Sequence, residues 1–94
     1  MAPATSRLVH VRLWAAARAA AGQGEATVEV GTDPSVADVR RAVLAALPGR
    51  PELARVLEVC SALVGDRPVG AADADRVLVP EGVGVEFLPP FAGG

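Results

Sequence analysis

This sequence predicts an α+β fold: a mixed sheet of four to five strands with one main helix across one face. Three observations carry the prediction. Two early segments alternate apolar and polar residues with a period of two. A third, opened by a hydroxyl residue, repeats its apolar residues at helical spacing. Several short apolar runs follow, separated by turn residues, so the order is strand, strand, helix, then strands.

The first alternating segment runs from Leu8 to Trp14, with Val9, Val11 and Leu13 on one face and His10 and Arg12 on the other. Residues 1–7 before it are small, polar and Pro-containing and read as a flexible N-terminus ahead of a domain over residues 8–88. Ala15 to Ala21 is alanine-rich and stopped by Gly22 and Gly24; it is too short to hold a helix alone and reads as a packed helical turn. Ala26 to Val30 alternates again and pairs with the first strand. Ser35 and Asp38 have the form of a capping box, with Asp in place of the preferred Glu or Gln. Val36, Val39, Val43, Leu44 and Leu47 then share one side of a helix that Pro48-Gly49 ends.

Pro51 to Glu58 fits a second short helix with Pro51 at its first position and Leu53, Val56 and Leu57 inward. Ala62-Leu63-Val64 and Arg67-Pro68-Val69 read as a hairpin about Gly65-Asp66, and Pro68 assigns its strand to an edge. Arg76 to Val79 is a short apolar run. Val85 to Leu88 is the last strand. This order fits the β-grasp fold; a ferredoxin-like fold needs helices between the first two strands and near the end, which the pattern does not give.

Composition narrows the function. The 94 residues make one domain, 51% hydrophobic and 21% charged, with only 3% aromatic residues, so the core is aliphatic. The net charge of −2 without a basic cluster argues against a nucleic-acid partner. No run reaches the eighteen or so apolar residues of a membrane span, and no apolar leader opens the chain. A single Cys excludes an internal disulfide framework. A soluble, cytoplasmic protein is expected. All nine basic residues are arginine, so lysine is absent, as is tyrosine, and there is one His. That inventory supports no catalytic triad and no metal site. The chain is not expected to be an enzyme alone.

The closing stretch is the exception. Leu88-Pro89-Pro90-Phe91-Ala92-Gly93-Gly94 carries no charge, two stiffening prolines and a Gly-Gly end. At average glycine usage such an end arises by chance in roughly one chain in 200. Residues 89–94 are read as an extended tail. An α-carboxylate on Gly94 is ionised at neutral pH and can attack the α-phosphate of ATP. The mixed anhydride formed is then open to a sulfur nucleophile. Glycines without Cβ atoms let backbone enter a narrow channel, and the prolines reduce the entropy lost on docking. The six residues past Leu88 reach about 20 Å when extended.

Val11-Arg12-Leu13-Trp14-Ala15-Ala16-Ala17-Arg18 with Gly22, together with Val85 to Gly94, resembles the opening and closing motifs of the MoaD branch of ubiquitin-like sulfur carriers, the MoaD/ThiS family. The resemblance covers about residues 8 to 94 and distinguishes this branch from the shorter thiazole-pathway carriers. It departs at Val83-Gly84, where the family tends to have an acidic pair. The resemblance implies a β-grasp domain whose Gly94 is adenylated by a ubiquitin-activating-type adenylyltransferase partner and sulfurated by a sulfur donor or sulfurtransferase. The thiocarboxylate then enters the catalytic subunit of molybdopterin synthase and gives sulfur to a cyclic pyranopterin. It implies no bound cofactor, since ATP and Mg²⁺ are used by the activating partner. Gly93, Ala92, Phe91, Pro90, Pro89 and Leu88 would contact partners, and so would Arg18, otherwise a solvated charge. Trp14 is either a core-edge aromatic or a partner-facing anchor. Cys60 reads as a small core residue and His10 as solvated. The same tail chemistry also suits a carrier for thiazole or a secondary metabolite, or a ubiquitin-like protein modifier joined to lysines of its targets.

Overall fold

The computed structural model describes residues 6–90. Strand β1 (Ser6–Leu13) is followed by α1 (Ala15–Ala21), β2 (Glu25–Gly31), α2 (Val36–Ala46) and α3 (Pro51–Val59). Then come β3 (Ser61–Val64), β4 (Arg67–Val69), a single 3₁₀ turn at Ala71–Asp73 and β5 (Val85–Leu88). The five strands form one sheet in the order β2-β1-β5-β3-β4. β5 runs parallel to β1 and antiparallel to β3, while β1 and β2 are antiparallel neighbours. A central parallel pair made from the first and last strands, with a helix crossing between, is the β-grasp fold, as expected.

The alternation decides which face is covered. Val9, Val11, Leu13, Val28, Val85 and Phe87 all point to the helical side and are buried. Against them pack Val36, Ala37, Val39 and Val43 of α2 and Leu53 and Leu57 of α3. Leu44, Leu47 and Val56 close the margin of this core, partly buried. Among the described residues Phe87 is the one large aromatic inside, only 1% exposed, on a central strand of the sheet. β1 begins at Ser6, two residues before the alternation becomes legible, because Ser6 and Arg7 pair with Gly31 and Val30. The Arg7 guanidinium reaches the carbonyls of Pro80 at 3.1 Å and of Val79, tying the sheet to the segment before β5.

Two stretches depart from the sequence reading. Ala15–Ala21 is a two-turn helix, not a lone packed turn, so the fold carries more than one main helix. Packing supplies what length lacks: Ala17 and Ala21 are fully buried, and methyl side chains let α1 sit close to its neighbours. Gly22, with φ of 77°, ends it through an N–H donated to the Arg18 carbonyl at 2.9 Å. A helix therefore does lie between the first two strands, and it is the strand order that excludes a ferredoxin-like fold.

The run Arg76–Val79 is not a strand. Only Leu78 makes an isolated bridge, to Ser35. Its backbone and that of the turn before it serve α2 instead: the Val77 and Ala74 carbonyls accept from Val36 N–H (3.0 Å) and Ala37 N–H (2.9 Å). These are two of the N–H groups that a helix start leaves without partners. The Ser35 capping box supplies another: Ser35 Oγ accepts from Asp38 N–H at 3.1 Å, and Asp38 Oδ2 accepts from Ser35 N–H at 2.9 Å. The shorter aspartate thus closes the box that Glu usually closes.

The hairpin forms about Gly65-Asp66, and β4 with Pro68 is the sheet's outer strand. Its turn is held to the segment before β5 by the Gly65 N–H, which donates to the Gly84 carbonyl at 3.0 Å.

Candidate functional site at the end of the central strand

Because β5 runs parallel to β1 while β2 runs back, the end of β1, the start of β2 and the end of β5 share one rim of the sheet. Trp14 sits on this rim, directly after Leu13, and its backbone N–H donates to the Phe87 carbonyl at 3.2 Å. Its indole Nε1–H donates to Glu86 Oε1 at 2.8 Å. Trp14 is 41% exposed, so it lies at the edge of the core and not inside it. The following residue, Ala15, has φ of 50°, a left-handed conformation uncommon for a residue with a Cβ. That turn starts α1 at once, and the Trp14 carbonyl accepts from both Ala17 N–H (3.0 Å) and Arg18 N–H (3.3 Å).

β5 delivers the chain past this aromatic. Leu88 pairs with Ser61, whose Oγ–H donates to the Leu88 carbonyl at 3.3 Å. Leu88 and Pro89 are half-buried and Pro90 is exposed. Phe91, Ala92, Gly93 and Gly94, the heart of the sequence-derived site, lie outside the described residues. The structure therefore brings Trp14 to the end of β5, against Glu86 and Phe87, and places Arg18 one helical turn further along on α1.

Three neighbours were not singled out from the sequence. Glu86 holds the indole; Arg12 and Gln23 line a surface cleft with Trp14, Arg18, Gly24 and Glu25. Arg12 could be placed on the polar face by alternation, but its proximity to α1 depends on a fold-level turn. Glu86 could not be paired with Trp14 because they lie 72 residues apart.

The remaining singled-out side chains take ordinary roles. His10 is exposed and its Nε2 lies 2.9 Å from Glu25 Oε1 on the open face of the sheet. Cys60 is buried, and burial pushes its thiol up to about 11, partly opposed by the Arg40 charge. A thiol so raised is almost wholly protonated at neutral pH and is a poor sulfur nucleophile. Among the described residues, no three His, Cys, Asp or Glu side chains gather as a metal site, and no helix is long and apolar enough to cross a membrane.

The fold is shared with solved structures. The solution structure of the Haloferax volcanii HVO 2177 protein superposes with a TM-score of 0.77 at 26% identity, covering 100% of this chain and 92% of that one. The crystal structure of SAMP1 from Haloferax volcanii gives 0.73 at 23% identity, covering 94% of this chain and 100% of that one. No protein-family model and no curated protein matches the chain. Fold and topology together define a small ubiquitin-like, β-grasp protein.

Proposed function

We propose that this chain is a ubiquitin-like sulfur carrier whose reactive group is the main-chain carboxylate of Gly94. The observation that carries the reading is positional: the central strand β5 leads directly into Pro89-Pro90 and the Gly-Gly sequence. A carboxylate oxygen of Gly94 attacks the α-phosphorus of ATP, and the bond to pyrophosphate breaks. A sulfide-level donor then attacks the acyl carbon, AMP leaves, and a thiocarboxylate remains. ATP, Mg²⁺ and the catalytic bases belong to an adenylyltransferase partner and the sulfur to a donor or sulfurtransferase, so the chain is a co-substrate and not itself an enzyme.

The residues that resemble the MoaD branch support a cyclic pyranopterin as the acceptor, with Leu88 to Gly93, Trp14 and Arg18 meeting the synthase partner. Thiazole or another sulfur-containing product would use the same thiocarboxylate. A second reading, a protein modifier joined through Gly94 to target amines, shares the adenylation step. The complete absence of lysine favours it in one respect, since activated copies meet no side-chain amine on their own kind.

Intact-mass analysis of the chain purified from its native cytoplasm separates these readings and also identifies the residue that ends the mature protein. The carrier reading expects the mass gain of one sulfur replacing one oxygen, lost when Gly94 is deleted or a residue is added after it, with the melting temperature nearly unchanged. Gly-Gly remnants on lysines of other proteins, without the sulfur mass, would establish the modifier instead. Neither product, or retained sulfur transfer after deletion of Gly94, overturns the proposal.

A further inference from the structure

The cleft beside Trp14 has a charge arrangement that the tail chemistry does not use. Arg12 projects from β1 between Glu25 on β2 and Glu86 on β5, its register partners on either side. Either glutamate could pair with it, yet each contacts a different side chain. Glu25 meets His10 at 2.9 Å, and Glu86 accepts from the Trp14 indole at 2.8 Å. Among the described residues, neither Arg12 nor Arg18 forms an ion pair.

Arg18 reaches the same cleft from α1 and lies flat along Gly24, close enough that a Cβ there would sit 3.4 Å from its Nε and 3.5 Å from its Cδ and Cζ. Gln23 stands across the mouth, its amide nitrogen fixed by donating to the Glu25 carbonyl at 2.7 Å and still carrying a second N–H. The result is a concavity lined by two guanidiniums without ion-pair partners, an anchored amide donor and one edge of an indole.

We propose that this cleft is a binding subsite for a small oxyanion, a carboxylate or a phosphate group held between Arg12 and Arg18. Guanidinium forks match the spaced oxygens of either group, and a charged acceptor strengthens each bond. The carboxylate or phosphate comes to the cleft as part of a small molecule or a peptide end. The site stands on its own geometry and does not depend on activation of Gly94.

Trp14 is the chain's only tryptophan and lines the cleft, so it reports on occupancy. The full-length chain is titrated with inorganic phosphate, with N-acetylglycylglycine and with its neutral amide, all at constant ionic strength. The expected result is a saturable change in Trp14 emission for at least one anion, in the millimolar range, and none with the neutral amide. Phosphate binding without N-acetylglycylglycine binding assigns a phosphorylated ligand, and the reverse assigns a peptide carboxylate. Arg12→Gln or Arg18→Gln weakens binding about tenfold, as loss of one charge-assisted bond at an exposed site predicts. The double variant abolishes it, with an unchanged unfolding midpoint showing that the fold is intact. Binding that leaves the emission unmoved is read from the Arg Nε–H and Gly24 N–H resonances. Silence in both measurements, or equal binding by the double variant, overturns the proposal.

Discussion

The indole nitrogen of Trp14 and the carboxylate of Glu86 meet at 2.8 Å, joining the end of β1 to the strand that leads into the tail. The backbone repeats the link one residue away, through Trp14 N–H and the Phe87 carbonyl. Glu86→Ala removes the side-chain link alone. A bond to a charged acceptor contributes up to about 3 kcal/mol when buried, and solvent at this rim reduces the expected loss to about 1 kcal/mol. Urea unfolding measures that loss, and a red shift of Trp14 emission accompanies release of the ring. Glu86→Gln, which keeps an acceptor oxygen, recovers part of both. An emission spectrum identical in all three proteins would mean that the bond does not hold the indole.

The capping box makes stability depend on acid. The Ser35 N–H bond to its carboxylate, above all, holds Asp38 below its ordinary 3.8, and Arg41 adds to the effect. A depressed native value means that the contribution is fully present above the unfolded-chain value. It is lost as pH falls through the native one. Asp38→Ala is therefore expected to cost about 1 kcal/mol at pH 7. That gap should close progressively below about pH 4, where protonation disarms the wild-type box. Parallel unfolding curves at pH 7 and in acid check it; a gap independent of pH would show that the carboxylate is not the capping group.

Cys60 predicts the opposite limb. Burial raises its thiol from 9.0 to about 11, so folding stability is complete below pH 9 and declines as pH rises toward 11. Cys60→Ala should lack that alkaline decline. A thiol reagent added at pH 8 should label the native chain far more slowly than the chain in denaturant. Rapid labelling of the folded protein would place the sulfur at the surface.

Gly84 is a matter of room. A Cβ added there would lie 3.2 Å from the His10 carbonyl oxygen, a backbone atom that cannot swing aside. Gly84→Ala is expected to cost about 1 kcal/mol by forcing this crowded approach, as small-to-large changes in packed sites do. The accompanying change is faster amide exchange along β1 and β5. Unaltered exchange with full stability would mean that the two segments can separate freely.

The parts of the fold that were legible are those with a local period. β1, β2, β5, α2, α3 and the Gly65-Asp66 hairpin could each be read from their own residues. Alanine gave α1 no apolar–polar contrast, so its helix became visible only with the surfaces that bury Ala17 and Ala21. Arg76 to Val79 is apolar at Val77, Leu78 and Val79 yet forms no strand, because the Val77 carbonyl is taken by the start of α2. At the site, Trp14 and Leu88 stood out by type and position. Glu86, Arg12 and Gln23 acquired meaning only through pairing between residues far apart in sequence.

The strand preceding the tail is bonded on both flanks, to β1 over Val85–Phe87 and to β3 over Val85–Leu88. An outer strand such as β4 can be peeled away one bond at a time. β5 cannot, since tension applied along it from beyond Pro90 is shared by two ladders loaded together in shear. A protein that grips the residues after Pro90 and pulls is thus hauling on the keel of the sheet. The domain can be towed by its end without coming apart.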